Sequence, residues 1–157
     1  MKLSKLLFAM FCGVVAGGAN AADITIFHSP TCPHCRHARE FIENTLVYEY
    51  DDLKVREVNV MEMSNKQEFV NALFKCGYRT GGVPVLVIGE KCFQGYADNM
   101  QSDLRTAIEA DLSDEQKSAA SANRTAMANS LDEFIASHAD RKNAITGLDE
   151  EQKKNNK

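Results

Sequence analysis

The run Ile24-Thr25-Ile26-Phe27, followed shortly by Cys32-Pro33-His34-Cys35, decides how this chain is read. The first part is a short apolar segment of strand character. The second is a C-x-x-C that opens a helix-like stretch from Arg36 to Asn44. Cys32 then falls at a helix N-terminus, where unpaired backbone N–H groups and the helix dipole favour a thiolate. Cys35 lies one turn further in, close enough to close a disulfide with Cys32. Pro33 suits the first helical turn because its missing N–H is not needed there. His34, when protonated, adds a second stabilising charge. These four residues point to a redox dithiol. The competing reading is half a zinc site, which needs two more ligands, and no second C-x-x-C is present.

The chain ends carry the expectation about compartment. Lys2 and Lys5 precede a short apolar run from Leu6 to Val15, and Ala19-Asn20-Ala21 is a small-x-small cleavage site. Residues 1–21 therefore read as a signal peptide, with an apolar run too short for a membrane span. Met10-Phe11 before Cys12 is bulky where a lipoprotein signal has small residues. The expected mature chain, beginning at Ala22 or Asp23, is exported or periplasmic and keeps no membrane anchor. Without Lys2 and Lys5 it has 16 basic against 22 acidic residues, a net charge of −6. That balance argues against nucleic acid or an anionic membrane as partner. Four cysteines remain after cleavage, an even number that fits an oxidising compartment. Cys76 and Cys92 are then either a second disulfide or two buried free thiols, and the sequence leaves both open.

Strands are expected at 23–28, 54–60, 85–88 and 91–94, and helices at about 33–46, 66–75 and 98–110. Phe69, Val70, Leu73 and Phe74 recur at helical spacing, with Ser64 or Asn65 as cap. Gly77 ends that helix. Gly89-Glu90 suits a two-residue hairpin turn. Pro84, in Gly81-Gly82-Val83-Pro84, is unusual at the mouth of an apolar strand, and either a cis or a trans bond explains it. From Leu112 the composition shifts to Ala, Asn, Ser and charge. Ser113-Asp114-Glu115-Gln116 matches a capping box, so one helix is expected over 114–139. Its stripe of Met127, Leu131, Phe134, Ile135 and His138 either packs on the domain or forms a partner surface. Residues 149–157 read as disordered. The organisation expected is a signal peptide at 1–21, a domain at 22–111 that folds without the rest, and a helical extension at 112–157.

On these residues the chain resembles the thioredoxin superfamily, closest in size to a glutaredoxin. Cys32-Pro33-His34-Cys35 after the first strand, Val83-Pro84 before the third, and Gly95-Tyr96-Ala97-Asp98 after the fourth carry the resemblance, which spans about residues 23–111. It implies an α/β fold with a four-stranded mixed sheet flanked by helices. It also implies that Pro84 is cis and faces Cys32. The Pro-His pair between the cysteines and the Val before Pro84 resemble the DsbA family of disulfide-forming enzymes. Its large helical insertion has no counterpart, because residues 61–82 leave room for a single helix. The chemistry thus resembles DsbA and the scaffold resembles glutaredoxin.

The activity this implies is thiol–disulfide exchange with protein thiols through Cys32 and Cys35, as an oxidant, without a cofactor. Pro33 and His34 tune the site, and Val83, Pro84, Tyr96 and Asp98 bind substrate. Partners are proteins with thiols or disulfides and an unidentified redox partner that recycles the site. Glutathione fits poorly: Ser29 stands where glutaredoxins carry Lys, and Gln94-Gly95 where they carry Gly-Gly. Tyr96 and Asp98 still offer a helix-start anion site. His28 and His37 are expected as polar surface or helix-face residues. The alternatives are a reductase or isomerase, and a soft-metal protein using Cys32 and Cys35 with His28, His34 or His37.

Overall fold

The computed structural model describes residues 23–147. The expected signal peptide at 1–21 and disordered end at 149–157 lie outside the described residues. Strand β1 (Asp23–His28) occupies the middle of the sheet. Its alternation sends Ile24 and Ile26 to one face and Phe27 to the other, and all three are buried. β2 (Lys54–Asn59) lies parallel to β1, while β3 (Val85–Ile88) pairs antiparallel with β1 and β4 (Lys91–Gln94) antiparallel with β3. A fifth, two-residue strand, β5 (Ile145–Thr146), adds parallel to β2, giving the order β4-β3-β1-β2-β5. The sheet is therefore one strand wider than the four expected. Ile145 follows a polar stretch and makes too short an apolar run to show strand periodicity in sequence.

Helices cover both faces. α1 (Pro33–Phe41) continues through a π-helical turn (Ile42–Leu46) into a short α2 (Val47–Glu49). The helix expected over about 33–46 therefore runs on to Glu49. Burial accounts for the added turn, since Leu46 through Tyr50 are all buried. α3 (Lys66–Lys75) covers the opposite face, packing Phe69, Ala72 and Leu73 against Phe27, Val58 and Val85. α4 (Gln101–Glu109), entered through a 3-10 turn (Asp98–Met100), places Leu104, Ala107 and Ile108 in the core beneath α1.

The tail forms two helices where one was expected, α5 (Asp114–Asn129) and α6 (Leu131–Ser137). The predicted capping box is present at Ser113 and Gln116. Ser130 breaks the run with φ −156° and ψ 82°, and its hydroxyl donates to Glu133 at 3.0 Å. Ser130-Leu131-Asp132-Glu133 is a second S-x-x-E, a helix-start signal visible in the sequence.

These helices share the main core. Ala120, Met127 and Ile145 are buried in the same cluster as Ile24, Leu104 and Ile108, with Phe134 and Ile135 packed against it. The tail's stripe thus faces the domain, except Leu131, which is exposed. Polar groups reinforce the contact. Glu49 is buried and accepts from Arg105 at 2.8 and 2.6 Å, and Arg124 lies 3.4 Å away. Tyr50 donates to Glu109 at 2.8 Å, and Arg141 donates to the carbonyls of Val47 and Tyr50 at 3.0 and 2.6 Å. Arg141 thereby satisfies carbonyls that the end of a helix leaves open. The tail expected as an extension beyond residues 22–111 thus shares one core with them. The tail's apolar residues are widely spaced, so only their burial in the shared cluster, beside α2 and β2, shows that they belong to it.

Candidate active site

The C-terminal end of β1 delivers the chain to the dithiol. The Cys32 N–H donates to the Ser29 carbonyl at 3.2 Å, closing a turn that sets Cys32 as the N-cap of α1. Pro33 takes the first helical position. Cys32 and Cys35 are joined in a disulfide with Cα atoms 5.2 Å apart. The Cys35 N–H donates to Cys32 Sγ at 3.1 Å. This is one of the orphan donors of the first turn, aimed at the sulfur that carries negative charge when the bridge opens. The two sulfurs differ in access: Cys35 is 1% exposed, whereas Cys32 is half-buried. An incoming thiolate therefore reaches Cys32, and Cys35 is left to act from inside. His34 is exposed on the first turn, and His37 is exposed as well.

Val83 and Pro84 lie opposite. Their peptide bond is cis, and Cys32 Sγ sits 3.6 Å from the Val83 carbonyl oxygen. Gly95, at φ 83°, donates its N–H to the Pro84 carbonyl at 2.8 Å, tying the turn after β4 to this loop. The fold thus brings Cys32, Cys35, Val83 and Pro84 together from residues far apart in sequence.

Tyr96 and Asp98 are placed differently. Tyr96 is buried, its ring 6.1 Å from that of Phe41 and its hydroxyl accepting from Gln101 at 3.2 Å. Burial pushes its phenol pKa up. Asp98 is exposed, and its side chain caps no helix. Both border an open groove of about 350 Å³ with His37, Glu40, Phe41 and Gln101. Cys76, at the C-cap of α3, and Cys92, on β4, form a second disulfide with Cα atoms 5.8 Å apart. It closes the segment that carries Val83 and Pro84.

His28 corrects the expectation of a polar surface residue. It shares a strand face with Ile24 and Ile26, and its side chain has no exposed surface. Glu57, which the sequence reading missed, is buried beside it, with His28 Nε2 3.9 Å from Glu57 Oε2. Arg39 from α1 brings Nε to 3.0 Å from the same carboxylate oxygen and reaches Glu43 at 3.5 Å. Burial pushes the Glu57 carboxyl up to about 7; Arg39 opposes that rise and Glu43 adds to it. The available signal was parity: Val55 and Glu57 alternate onto the face that Ile24, Ile26 and His28 share. Among the described residues, no three His, Cys, Asp or Glu side chains are grouped to hold a metal ion, and no helix is long and apolar enough to cross a membrane.

A mixed sheet flanked by helices, with a C-x-x-C at the N-terminus of the first helix, defines a thioredoxin-like fold bearing a redox dithiol. Residues 24–93 match the glutaredoxin family model, and that match indicates thiol–disulfide oxidoreductase activity. Among solved structures the chain is similar to the glutaredoxin (grx-1) from Archaeoglobus fulgidus, at 22% identity and a TM-score of 0.42. That alignment covers 54% of this chain and 86% of the other. No curated protein sequence matches.

Proposed function

We propose that this chain is an exported oxidant of protein thiols, with DsbA-like chemistry on a glutaredoxin-like scaffold. The observation that carries the reading is the N-cap position of Cys32, whose sulfur already accepts the Cys35 N–H. A substrate thiolate attacks Cys32 Sγ, the Cys32–Cys35 bond breaks, and a mixed disulfide forms. A second substrate thiolate then attacks the substrate sulfur of that mixed disulfide. Cys32 leaves as a thiolate, stabilised by the helix start and by a protonated His34. A stabilised leaving group favours the reduced enzyme and hence an oxidising active site. Val83 offers its backbone beside Cys32 to an extended substrate segment.

Export is supported by the leader-like residues 1–21 and by Cys76–Cys92, a second disulfide of the kind oxidising compartments maintain. Ser29, in place of the glutaredoxin Lys, supports protein thiols over glutathione as substrate. A redox partner must reoxidise the dithiol for turnover. The match to the glutaredoxin model favours the second reading, a reductase.

A redox titration against glutathione, on the parent and on His34→Tyr, separates the two. An oxidant has a parent potential well above that of a thioredoxin-type reductant, and removing the imidazole lowers it. Each unit of Cys32 pKa corresponds to about 1.4 kcal/mol, or about 30 mV. A reductant-like parent potential, unchanged in His34→Tyr, refutes the oxidant reading.

A further inference from the structure

β4 is tied to the chain before β3 by more than the sheet ladder. In its register with β3, Val87 opposes Cys92 and Val85 opposes Gln94, and both valines belong to the apolar cluster on the α3 side. Cys92 and Gln94 therefore point to that side, two residues apart on one strand face. Cys92 is bonded to Cys76 at the end of α3. Gln94 reaches the far end of the same connection. Its side-chain amide donates to the Thr80 carbonyl at 2.8 Å and to the Gly82 carbonyl at 3.1 Å. The N–H of Gly95, next in the chain, takes the Pro84 carbonyl. Carbonyls at alternate positions 80, 82 and 84 are thus held from Gln94 and Gly95. The Val83 carbonyl, between the last two, lies instead 3.6 Å from Cys32 Sγ. Where glutaredoxins carry Gly, this chain has a side chain long enough to span both outer carbonyls.

We propose that Gln94 is a positioning residue that sets specificity for extended polypeptide thiols, by clamping the 80–82 loop so that the Val83 backbone is fixed beside Cys32 before substrate arrives. Gly81 and Gly82 give this loop the greatest conformational freedom a chain can have. A substrate segment that adds to Val83 would otherwise have to order the loop at the expense of its own affinity. With both carbonyls already held, that ordering is done in advance. A small dithiol needs only access to Cys32 Sγ and gains nothing from the clamp. Neither hydrogen bond of Gln94 involves Cys32 or Cys35, so the chemistry of the sulfurs is left as it is. The inference rests on the protein-thiol reading of the site given above.

Two measurements test it. Oxidised protein is mixed in single turnover with a reduced, unstructured two-cysteine peptide and, separately, with dithiothreitol. The variants are Gln94→Ala and Gln94→Glu, the second matching the side chain in length while its carboxylate has no N–H to donate. In both, the half-saturating peptide concentration is expected to rise about fivefold or more, the loss of one to two net hydrogen bonds. The limiting rate should stay at the parental value, the pattern of lost uniform binding. The rate with dithiothreitol and the Cys32–Cys35 potential should match the parent. In the unmutated protein, the side-chain amide protons of Gln94 should exchange with water about tenfold or more slowly than those of an unstructured glutamine. Unprotected Gln94 protons overturn the proposal, whether or not a variant folds. Folded variants with parental half-saturation overturn it, and so does an equal loss with dithiothreitol, which marks a merely structural residue. Failure of the underlying reading shows in the parent instead: it then reacts with dithiothreitol alone or with neither thiol, and the proposal falls with it.

Discussion

Removing the second disulfide, as Cys76→Ser with Cys92→Ser, tests whether the Val83-Pro84 loop is held from outside the active site. The bond joins the end of α3 to β4 across a sequence separation of 16 residues. Within that closure lie Gly77, at φ 72°, the 78–82 loop, Val83, Pro84, β3 and the hairpin. Opening a loop of this length returns about 3 kcal/mol of chain entropy to the unfolded state. With a urea slope of about 2 kcal/mol/M, the midpoint should fall by roughly 1.5 M. The assay is urea unfolding of parent and double variant, both with Cys32–Cys35 oxidised and with pairing verified by mass after thiol labelling. Exchange should also slow, because Val83 is then positioned by hydrogen bonds and packing alone. A midpoint within 0.3 M of the parent's (about 0.6 kcal/mol at that slope) would refute the reasoning.

Truncation after Leu112 removes Ala120, Met127 and Ile145 from the core and Arg124 from Glu49. At about 1.5–3 kcal/mol per large apolar side chain, the loss is roughly 5 kcal/mol. The expected product is unfolded or has a much lower thermal midpoint, and a truncated chain as stable as the parent would show the tail to be accessory. Cys35→Ser should accumulate mixed disulfides with substrate proteins, seen as bands that a reductant collapses, whereas Cys32→Ser should form none. Normal turnover in Cys35→Ser reverses the assigned roles. Glu57 gives a pH dependence of stability. Between about 4.5 and 7 the folded protein holds a proton that the unfolded chain has released, so stability falls as pH rises through that window. The full effect is about 3 kcal/mol, read as urea midpoints at pH 5 and 7.5, and Glu57→Gln should lose that slope.

The sequence by itself determined the order of β1, α1, β2, α3, β3, β4 and α4, and the place of the dithiol within it. Each of those signals is local. Ile24-Thr25-Ile26-Phe27 alternates, Cys32 and Pro33 start a helix, Gly89-Glu90 turns a hairpin, and Leu104 and Ile108 share a helical face. Cys32 and Cys35 were legible for the same reason, being three residues apart on one helical turn. Tertiary structure decided the rest. Cys76 and Cys92 were compatible with a bridge or with two thiols until the packing of α3 beside β4 brought their Cα atoms to 5.8 Å. The tail carried a helical stripe without a destination until Met127 and Ile145 entered the core and β5 added to β2. His28 and Glu57 were an ordinary polar residue at a strand end and a charge within a strand. The parallel register of β1 with β2, with Arg39 of α1 laid over both, made them buried neighbours. Local patterns specify elements because they depend on contacts within a few residues. Which elements share a face depends on burial between segments distant in the chain, and no short window of sequence contains it.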